Sequence, residues 1–250
     1  MTRFALVVLT GTMACVAVVV HGQPTTNLWE TVAAVGLTLT RGNSDNILVT
    51  AGLDTKRKWS RDEMLLGVNG GYGENTKHEP RTNDTAIKTD QYIKGYGQWN
   101  HFLDDRNYLG VRADALYDEI AGIDYRVTVG PLVGHYFIKN AKTYLSAEVG
   151  PSVVFENTRT EESTIYFAAR VGEKFEHKFN DRTKIWEYAD WVPQLDNVNN
   201  WVLNVEVGLS SALTKALSLQ VKALDTYDRE PVPGRRENDF KLIAGLAYKF

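Results

Sequence analysis

Cysteine is almost absent from this chain of 250 residues, in which Cys15 is the only one. A disulfide within the chain needs two cysteines, so that device is excluded. An exported protein without disulfides has to gain its stability elsewhere, from a large core or from a full ladder of strand hydrogen bonds.

Long apolar runs are also missing after residue 22, so no segment there has the roughly 20 apolar residues of a membrane helix. Residues 1–22 are typical of a secretory signal peptide, with Arg3 ahead of the apolar stretch Phe4–Val20 and cleavage expected after Gly22. Cys15 raises the alternative of a lipoprotein signal, but Thr-Met-Ala-Cys is a poor lipobox. If the mature chain, 23–250, crosses a membrane, it must do so as a β-barrel.

An excess of basic charge is lacking as well. The chain has 28 Lys and Arg against 31 Asp and Glu, a formal net charge of −3. Loss of the predicted signal peptide removes one Arg and no acid, so the mature charge is −4. Nucleic acid is therefore an unlikely partner, because it is bound mainly through clustered positive charge.

No set of residues predicts an enzyme. The mature histidines are His78, His101, His135 and His177, and none shares an expected patch with a serine and an acid, as hydrolysis would require. There is no His/Cys cluster for zinc and no glycine-rich phosphate loop. We therefore predict no catalytic residue, no cofactor and no metal. An outer-membrane enzyme acting on lipid or envelope polymer is the alternative, which mutation of the histidines would test.

Long alternating segments fill the mature chain. The last one places Phe240, Leu242, Ala244, Leu246, Tyr248 and Phe250 on one face, and mostly polar residues on the other. Twelve such strands are predicted, near 31–41, 45–58, 62–74, 87–100, 106–119, 123–138, 142–156, 163–178, 183–193, 199–211, 216–227 and 237–250. Most exceed the common soluble length of about 5–6 residues and match membrane-crossing strands.

The connections between these strands alternate in length. Every even-numbered connection is tight, whereas the long polar stretches 74–88, 157–163, 194–200 and 228–238 are all odd-numbered. Short periplasmic turns and longer outer loops are the rule in bacterial barrels. The predicted fold is an all-β, antiparallel, up-and-down transmembrane barrel of about twelve strands, in which the last strand pairs with the first.

The C-terminal strand adds a further indication. Gly245, Tyr248 and Phe250 form a Gly-x-x-Tyr-x-Phe ending that resembles the signal by which outer-membrane barrels are recognised for assembly. The expected partners are therefore outer-membrane lipid and the barrel-assembly machinery. Aromatic residues near strand ends are predicted to form girdles, with Trp29, Trp59, Trp99, Tyr144, Phe179 and Tyr248 at the turns and Tyr72, Tyr117, Trp191 and Trp201 at the loops.

Four stretches resemble one known family. They are Gly36–Ser44, Tyr117–Arg126, Gly130–Gly134 and Tyr248–Phe250. Together they are similar to the YdiY-like family of salt-induced outer-membrane proteins, a domain of unknown function, over essentially the whole mature chain. The resemblance implies a barrel in a Gram-negative outer membrane. It implies no reaction, ligand or catalytic residue.

The charged face of the strands holds the candidate functional residues. Alternation predicts that thirteen charged side chains face the lumen, namely Asp54, Lys56, Lys94, Arg112, Asp114, Arg126, Glu148, Arg170, Lys174, Glu176, Glu206, Lys222 and Lys241. Strand nine is ambiguous, and we expect Glu187 to face inward. Arg112 and Arg126 are expected near Asp114 and Asp124. Ion pairs across the lumen would brace or plug the barrel, and a selective solute path is the alternative.

Two features predict local irregularity. Pro131 and Pro151 lack the N–H that a strand ladder needs, so a bulge or kink is expected where they face each other. Glycines at 67, 70, 71, 73, 95 and 97 predict bending, or space for a bulky lumen residue such as Tyr92 or Tyr96. The overall interpretation is a non-enzymatic outer-membrane barrel, a narrow solute pore or envelope component linked to salt or osmotic stress. The alternative of a receptor or adhesin would depend on loops 74–88 and 228–238, and the sequence leaves the oligomeric state unknown.

Overall fold

The structure of the protein is a computed structural model that describes residues 29–40, 44–77, 85–160 and 162–250. The predicted signal peptide lies outside these residues. The described residues form twelve strands, which are β1 (Trp29–Thr40), β2 (Ser44–Trp59), β3 (Asp62–Lys77), β4 (Thr85–Phe102), β5 (Asn107–Asp118), β6 (Ile123–Lys139), β7 (Thr143–Thr158), β8 (Thr164–Lys178), β9 (Thr183–Pro193), β10 (Trp201–Ala212), β11 (Leu217–Asp228) and β12 (Asn238–Lys249).

The twelve strands close into one antiparallel barrel. Each strand pairs with its neighbours in sequence, and β1 pairs with β12 from Val32 opposite Lys249 to Leu37 opposite Ala244. This confirms the predicted fold class and strand number. Within the described ranges, no helix is long and apolar enough to cross a membrane.

Side-chain alternation separates an apolar outer wall from a polar interior. On β12, Phe240 and Leu242 are 62% and 56% exposed, whereas Ile243 and Ala247 are almost fully buried. The same outward face on β8 carries the exposed Ile165 and Phe167. Exposed apolar side chains on so many strands form the lipid-facing surface that a membrane barrel requires.

The short connections lie together at one end of the barrel, here called the turn end. They are residues 60–61, 103–106, 140–142, 179–182 and 213–216. Four of the five share one hydrogen-bonding pattern, in which a side-chain oxygen of Asp104, Asn140, Asn180 or Thr214 accepts bonds from the backbone N–H groups two and three residues further on. Such side chains replace the ladder bonds that a tight turn loses.

The remaining connections lie at the opposite end, called the loop end, and 194–200 and 229–237 among them are longer than any of the turns. Residues 41–43 and 78–84 fall outside the described ranges, while 119–122, 194–200 and 229–237 are described. Loop 229–237 reaches over the mouth, since a Cβ added to Gly122 would lie 3.3 Å from Val232 Cγ1. The β5–β6 connection therefore touches a loop that begins on the far side of the barrel.

The glycines of β3 make room for tyrosines of β4, as the sequence predicted. A Cβ on Gly67 would lie 2.3 Å from the ring of Tyr96, and one on Gly71 would lie 2.6 Å from the ring of Tyr92. Both tyrosines line the interior. The absence of side chains at these glycines lets the two rings lie flat against the neighbouring strand.

The prolines interrupt one strand pair without shifting it. Pairing between β6 and β7 stops at Val129 opposite Val153 and resumes at Val133 opposite Val149, with the same register on both sides. The predicted irregularity is therefore a gap in the ladder and not a bulge. Register shifts occur elsewhere on these two strands, at Ile123/Tyr125 and Tyr136/Ile138.

Most of the predicted girdle residues point outward near the barrel ends. Trp59, Phe179 and Tyr248 are exposed at the turn end, and Tyr72 and Trp191 are exposed at the loop end. Tyr144 is the exception. It pairs with Glu176 and lines the interior, because it lies on the same face of β7 as the inward residues Ser146 and Glu148.

Substitution Gly67→Ala should destabilise the barrel by about 1–3 kcal/mol, because the new methyl group has to displace the Tyr96 ring. The added Cβ would also lie 2.5 Å from Asp54 Oδ1. The matched control is Gly97→Ala, whose Cβ meets only Leu66 Cδ2 at an ordinary 3.4 Å. The measurement is the urea midpoint of the refolded barrel, followed by its electrophoretic shift on heating. Equal midpoints for the two variants would contradict the packing described.

The turn residue Asp104 should remain ionised in unusually acidic solution. Hydrogen bonds from the Asn107 side chain and from the N–H groups of Arg106 and Asn107 lower its pKa to about 2. A depressed folded-state pKa means that this contribution to stability is present above the ordinary carboxyl pKa and is lost as pH falls through about 2. Carboxyl NMR should show the titration, and Asn107→Ala should raise the pKa, whereas Asp105→Asn should leave it unchanged.

Candidate functional site

A single cavity of about 2270 Å³ runs along the interior of the barrel. Its lining includes Asn180 and Thr214 at the turn end and Asp196 and Pro233 at the loop end. Space therefore continues from one end of the described barrel to the other. The charged residues that border this space are the candidate site.

The structure places all thirteen predicted lumen charges on the inward face. Twelve of them line the cavity, and Arg170 lies behind them with 3% of its surface exposed. The arrangement is uneven. Some of these side chains form a dense network on the wall built by β4–β9, and others stand apart in the more open part of the lumen.

Glu148 is the centre of the dense network and is 2% exposed. Its Oε1 accepts hydrogen bonds from Gln98 Nε2 at 2.7 Å and Tyr108 Oη at 2.8 Å, and it lies 3.2 Å from Lys174 Nζ. Its Oε2 lies 3.2 Å from Arg170 Nη1. A buried carboxylate with this many donors is stabilised in its ionised form.

Two arginines extend the network along the wall. Arg170 Nε lies 2.7 Å from Asp190 Oδ1, and Arg170 Nη2 donates to Tyr188 Oη at 3.1 Å. Arg112 pairs with Asp114 as predicted, with its Nη2 2.6 Å from Asp114 Oδ1, and its Nη1 donates to Gln98 Oε1 at 3.0 Å. Strands β4, β5, β7, β8 and β9 are thereby joined through side chains.

The inward position of Tyr188 overturns the expected register of β9. Tyr188 pairs with the inward residues Lys174 and Glu206, whereas Glu187 pairs with Phe175 and Val207 of the outer wall. Glu187 therefore points outward. The strand alternates Trp186 and Tyr188 with Ile185 and Glu187, so both faces look amphipathic, and only the partners on β8 and β10 decide between them.

Arg126 crosses the lumen near the loop end. Its Nη2 lies 2.8 Å from Glu156 Oε1 on the adjacent strand and 3.1 Å from Asp228 Oδ2 on β11. The expected neighbour Asp124 is not its partner and instead lies 3.9 Å from Arg159 Nε. Asp124 is the unpaired residue within the register shift between Ile123 and Tyr125, which separates it from the face of Arg126.

The remaining predicted charges lie around the open part of the lumen. Lys241 of β12 contacts Asp90 of β4 at 3.2 Å, a second bridge across the interior. Tyr96 Oη donates to Asp54 Oδ1 at 3.1 Å, and Trp186 Nε1 donates to Glu206 Oε1 at 2.8 Å. Towards the turn end, Lys56 lies 3.7 Å from Glu30 and Lys184 lies 2.8 Å from Glu176.

Uncharged members of the network were missed by the sequence reasoning. Gln98 and Tyr108 are almost fully buried and bond directly to Glu148. Their positions on the charged face of β4 and β5 were the available signal. A second signal was glycine on the inward face, because a Cβ on Gly134 would lie 2.1 Å from the Tyr108 ring.

The described histidines lie at the turn end, away from the dense network. His101 Nδ1 contacts Asp62 at 3.0 Å, His135 Nδ1 contacts Asn107 at 2.7 Å, and His177 Nδ1 contacts Thr143 at 2.8 Å. His78 lies outside the described residues. In the described part of the chain, no three His, Cys, Asp or Glu side chains are grouped so that they could hold a metal ion.

A closed antiparallel barrel with an apolar outer wall and a charged interior is a transmembrane β-barrel of the outer-membrane type. The chain belongs to the family described as "Protein of unknown function, DUF481", whose model matches residues 33–250. The comparison with curated proteins found no match.

Solved structures resemble this chain at low sequence identity. The NanC porin in a rhombohedral crystal form superposes with a TM-score of 0.55 at 7% identity, covering 88% of this chain and all of that one. The KdgM porin gives 0.48 at 6% identity over 88% and 99% of the chains. The translocator domain of the autotransporter NalP from Neisseria meningitidis gives 0.46 at 13% identity over 89% and 88%.

Substitution Glu148→Gln should destabilise the barrel by about 3 kcal/mol, because Arg170 and Lys174 lose their common counter-ion in a buried setting. The matched control is Glu176→Gln, which removes the half-exposed pair with Lys184 and should cost less than about 1 kcal/mol. Urea midpoints in the same detergent compare the two. Equal losses of stability in the two variants would mean that the dense network is as hydrated as the turn end of the lumen.

Proposed function

We propose that the protein is a passive pore of the bacterial outer membrane, which admits small hydrophilic solutes without catalysing a reaction. The observation that supports this is the continuous cavity, lined by residues of both the turn end and the loop end. A barrel filled by its own side chains would leave no such path.

The size of the cavity suits small solutes. If 2270 Å³ is spread over the roughly 30 Å of a bilayer core, the mean cross-section is about 75 Å², a circle about 10 Å wide. The network around Glu148 narrows one side of this path. Loop 229–237 contributes Pro231 and Val232 to the lining at the mouth. These obstructions favour slow, size-limited passage.

The dense network has a mechanical role in this proposal. A wide polar lumen leaves the barrel wall without a dry, apolar core to pack against. Hydrogen bonds and ion pairs between side chains therefore have to maintain the shape of the barrel. The pairs Arg126–Asp228 and Lys241–Asp90 each join strands that are not neighbours in the barrel. They resist flattening of the barrel while leaving water-filled space beside them.

Export and assembly are part of the proposal. Residues 1–22 would direct the chain across the inner membrane, and Gly245, Tyr248 and Phe250 would mark β12 for the assembly machinery. In support, Tyr248 and Phe250 lie on the outer wall, 48% and 54% exposed, with their rings 5.0 Å apart. The turn end would then face the periplasm. Membership of the YdiY-like group and its salt-stress link rest on the sequence resemblance.

The test is single-channel conductance of the refolded mature chain in planar bilayers, after heat-modifiable migration has shown that it is folded. We expect a steady conductance that Gln220→Trp reduces at least by half, because Gln220 lines the cavity. The control is Leu219→Trp, which places the same ring on the outer wall, where Leu219 is 47% exposed. If the chain folds but shows no conductance, the pore proposal is wrong and the protein is a plugged barrel with a structural role.

A further inference from the structure

Two inward lysines differ from every other cation of the lumen that the sequence singled out. Lys94 on β4 and Lys222 on β11 line the cavity, and among the described residues neither has a hydrogen bond or an ion pair within 4.0 Å. By contrast, Lys174 contacts Glu148 and Lys241 contacts Asp90. Among the predicted lumen cations, these two ammonium groups are therefore the ones available to a solute.

The strand register explains why these lysines are unpaired. Lys94 is flanked by Asn69 and Leu116 on the adjacent strands, and Lys222 is flanked by Gly208 and Ile243. No carboxylate occupies a directly opposed position in either case. Both side chains are half-buried and turn into the open part of the lumen.

The two lysines face the same lumen from distant strands. Five strand pairings separate β4 from β11 around the shorter side of the barrel, yet Lys222 lies within electrostatic range of Lys94. Like charges that face one lumen repel each other, and an anion between them relieves that repulsion. The closed barrel fixes the backbone positions of both residues.

Three carboxylates and a third lysine lie near this pair and must be counted. Asp54, Glu206 and Asp114 lie within electrostatic range of Lys94, as does Lys241, and Asp54 also lies within range of Lys222. Each carboxylate already has a partner on the wall, since the Tyr96 hydroxyl donates to Asp54, the Trp186 indole donates to Glu206, and Arg112 pairs with Asp114. They moderate the positive potential without occupying the ammonium groups. Binding of an anion there would be weak, which is what passage through a pore requires.

We propose that Lys94 and Lys222 form an anion-binding constriction that takes small solutes carrying a carboxylate or a phosphate group. The proposal rests on the pore function above and names the class of solute that the pore favours. Lys ammonium groups bind such anions as mobile point charges, which tolerates different solute shapes.

The first test is a binding measurement that needs no conduction. Inorganic phosphate and, separately, gluconate are titrated into detergent-folded protein labelled with ¹³C at the lysine ε position. We expect saturable shifts at Lys94 and Lys222, assigned by Lys94→Met and Lys222→Met, with no shift at Lys56. Response to phosphate alone or to gluconate alone would assign the solute to that class. Unmoved Lys94 and Lys222 signals in both titrations would overturn the proposal, even if the chain conducts.

The second test is block of single-channel current by the same anions. The double variant Lys94→Met/Lys222→Met should weaken the block at least ~10-fold, equivalent to 1.4 kcal/mol of binding free energy. The control Lys56→Met removes the same charge from the cavity wall near the turn end and should keep the block. Equal block in wild type and double variant would contradict the assignment. If the double variant fails to fold, each single Lys→Gln variant replaces it.

The two tests separate the two proposals. If the protein shows saturable lysine shifts but no conductance, the pore proposal is wrong and the anion-site proposal stands. Conductance without block or shifts would keep the pore and remove the site.

Discussion

Closure of the sheet is the constraint on which the rest of the structure depends. In hydrocarbon every backbone N–H and C=O has to be bonded within the protein, and the pairing of β1 with β12 removes the two free edges that an open sheet would leave. Once the ring is closed, alternation fixes two surfaces. Apolar side chains such as Phe240 and Ile165 cover the outside, and the thirteen predicted lumen charges face the interior.

The interior has to meet two opposing requirements. A lumen that conducts must stay wet, but a wet barrel has no dry core to hold its shape. Here the wall from β4 to β9 is braced by a network around Glu148, in which neutral donors such as Gln98 and Tyr108 satisfy the buried charge. The other part of the lumen is left open, and there Lys94 and Lys222 have no hydrogen bond or ion pair among the described residues. With the proposed pore function, rigidity and passage would belong to different sides of one barrel.

Local sequence determines more of this fold than of its site. Strand number, turn position and the inward face of Arg112 followed from a period of two residues, which is a property of each strand alone. The partners of Arg126 did not, because Asp228 is 102 residues away and meets it only through ring closure. The prediction that Glu187 faces inward was wrong for a related reason. Both faces of β9 are amphipathic, so its register is decided by neighbours that alternation alone does not identify.

The gap between β6 and β7 fixes the register of these two strands. A Cβ on Gly130 would lie 2.1 Å from the carbonyl oxygen of Pro151, and one on Gly150 would lie 2.0 Å from that of Pro131. Only glycine fits at either place. Sliding the strands by two residues would bring Thr128 or Leu132 against the same oxygen, with a side chain that has no room. The stretch that gives up hydrogen bonds therefore admits one alignment of the two strands.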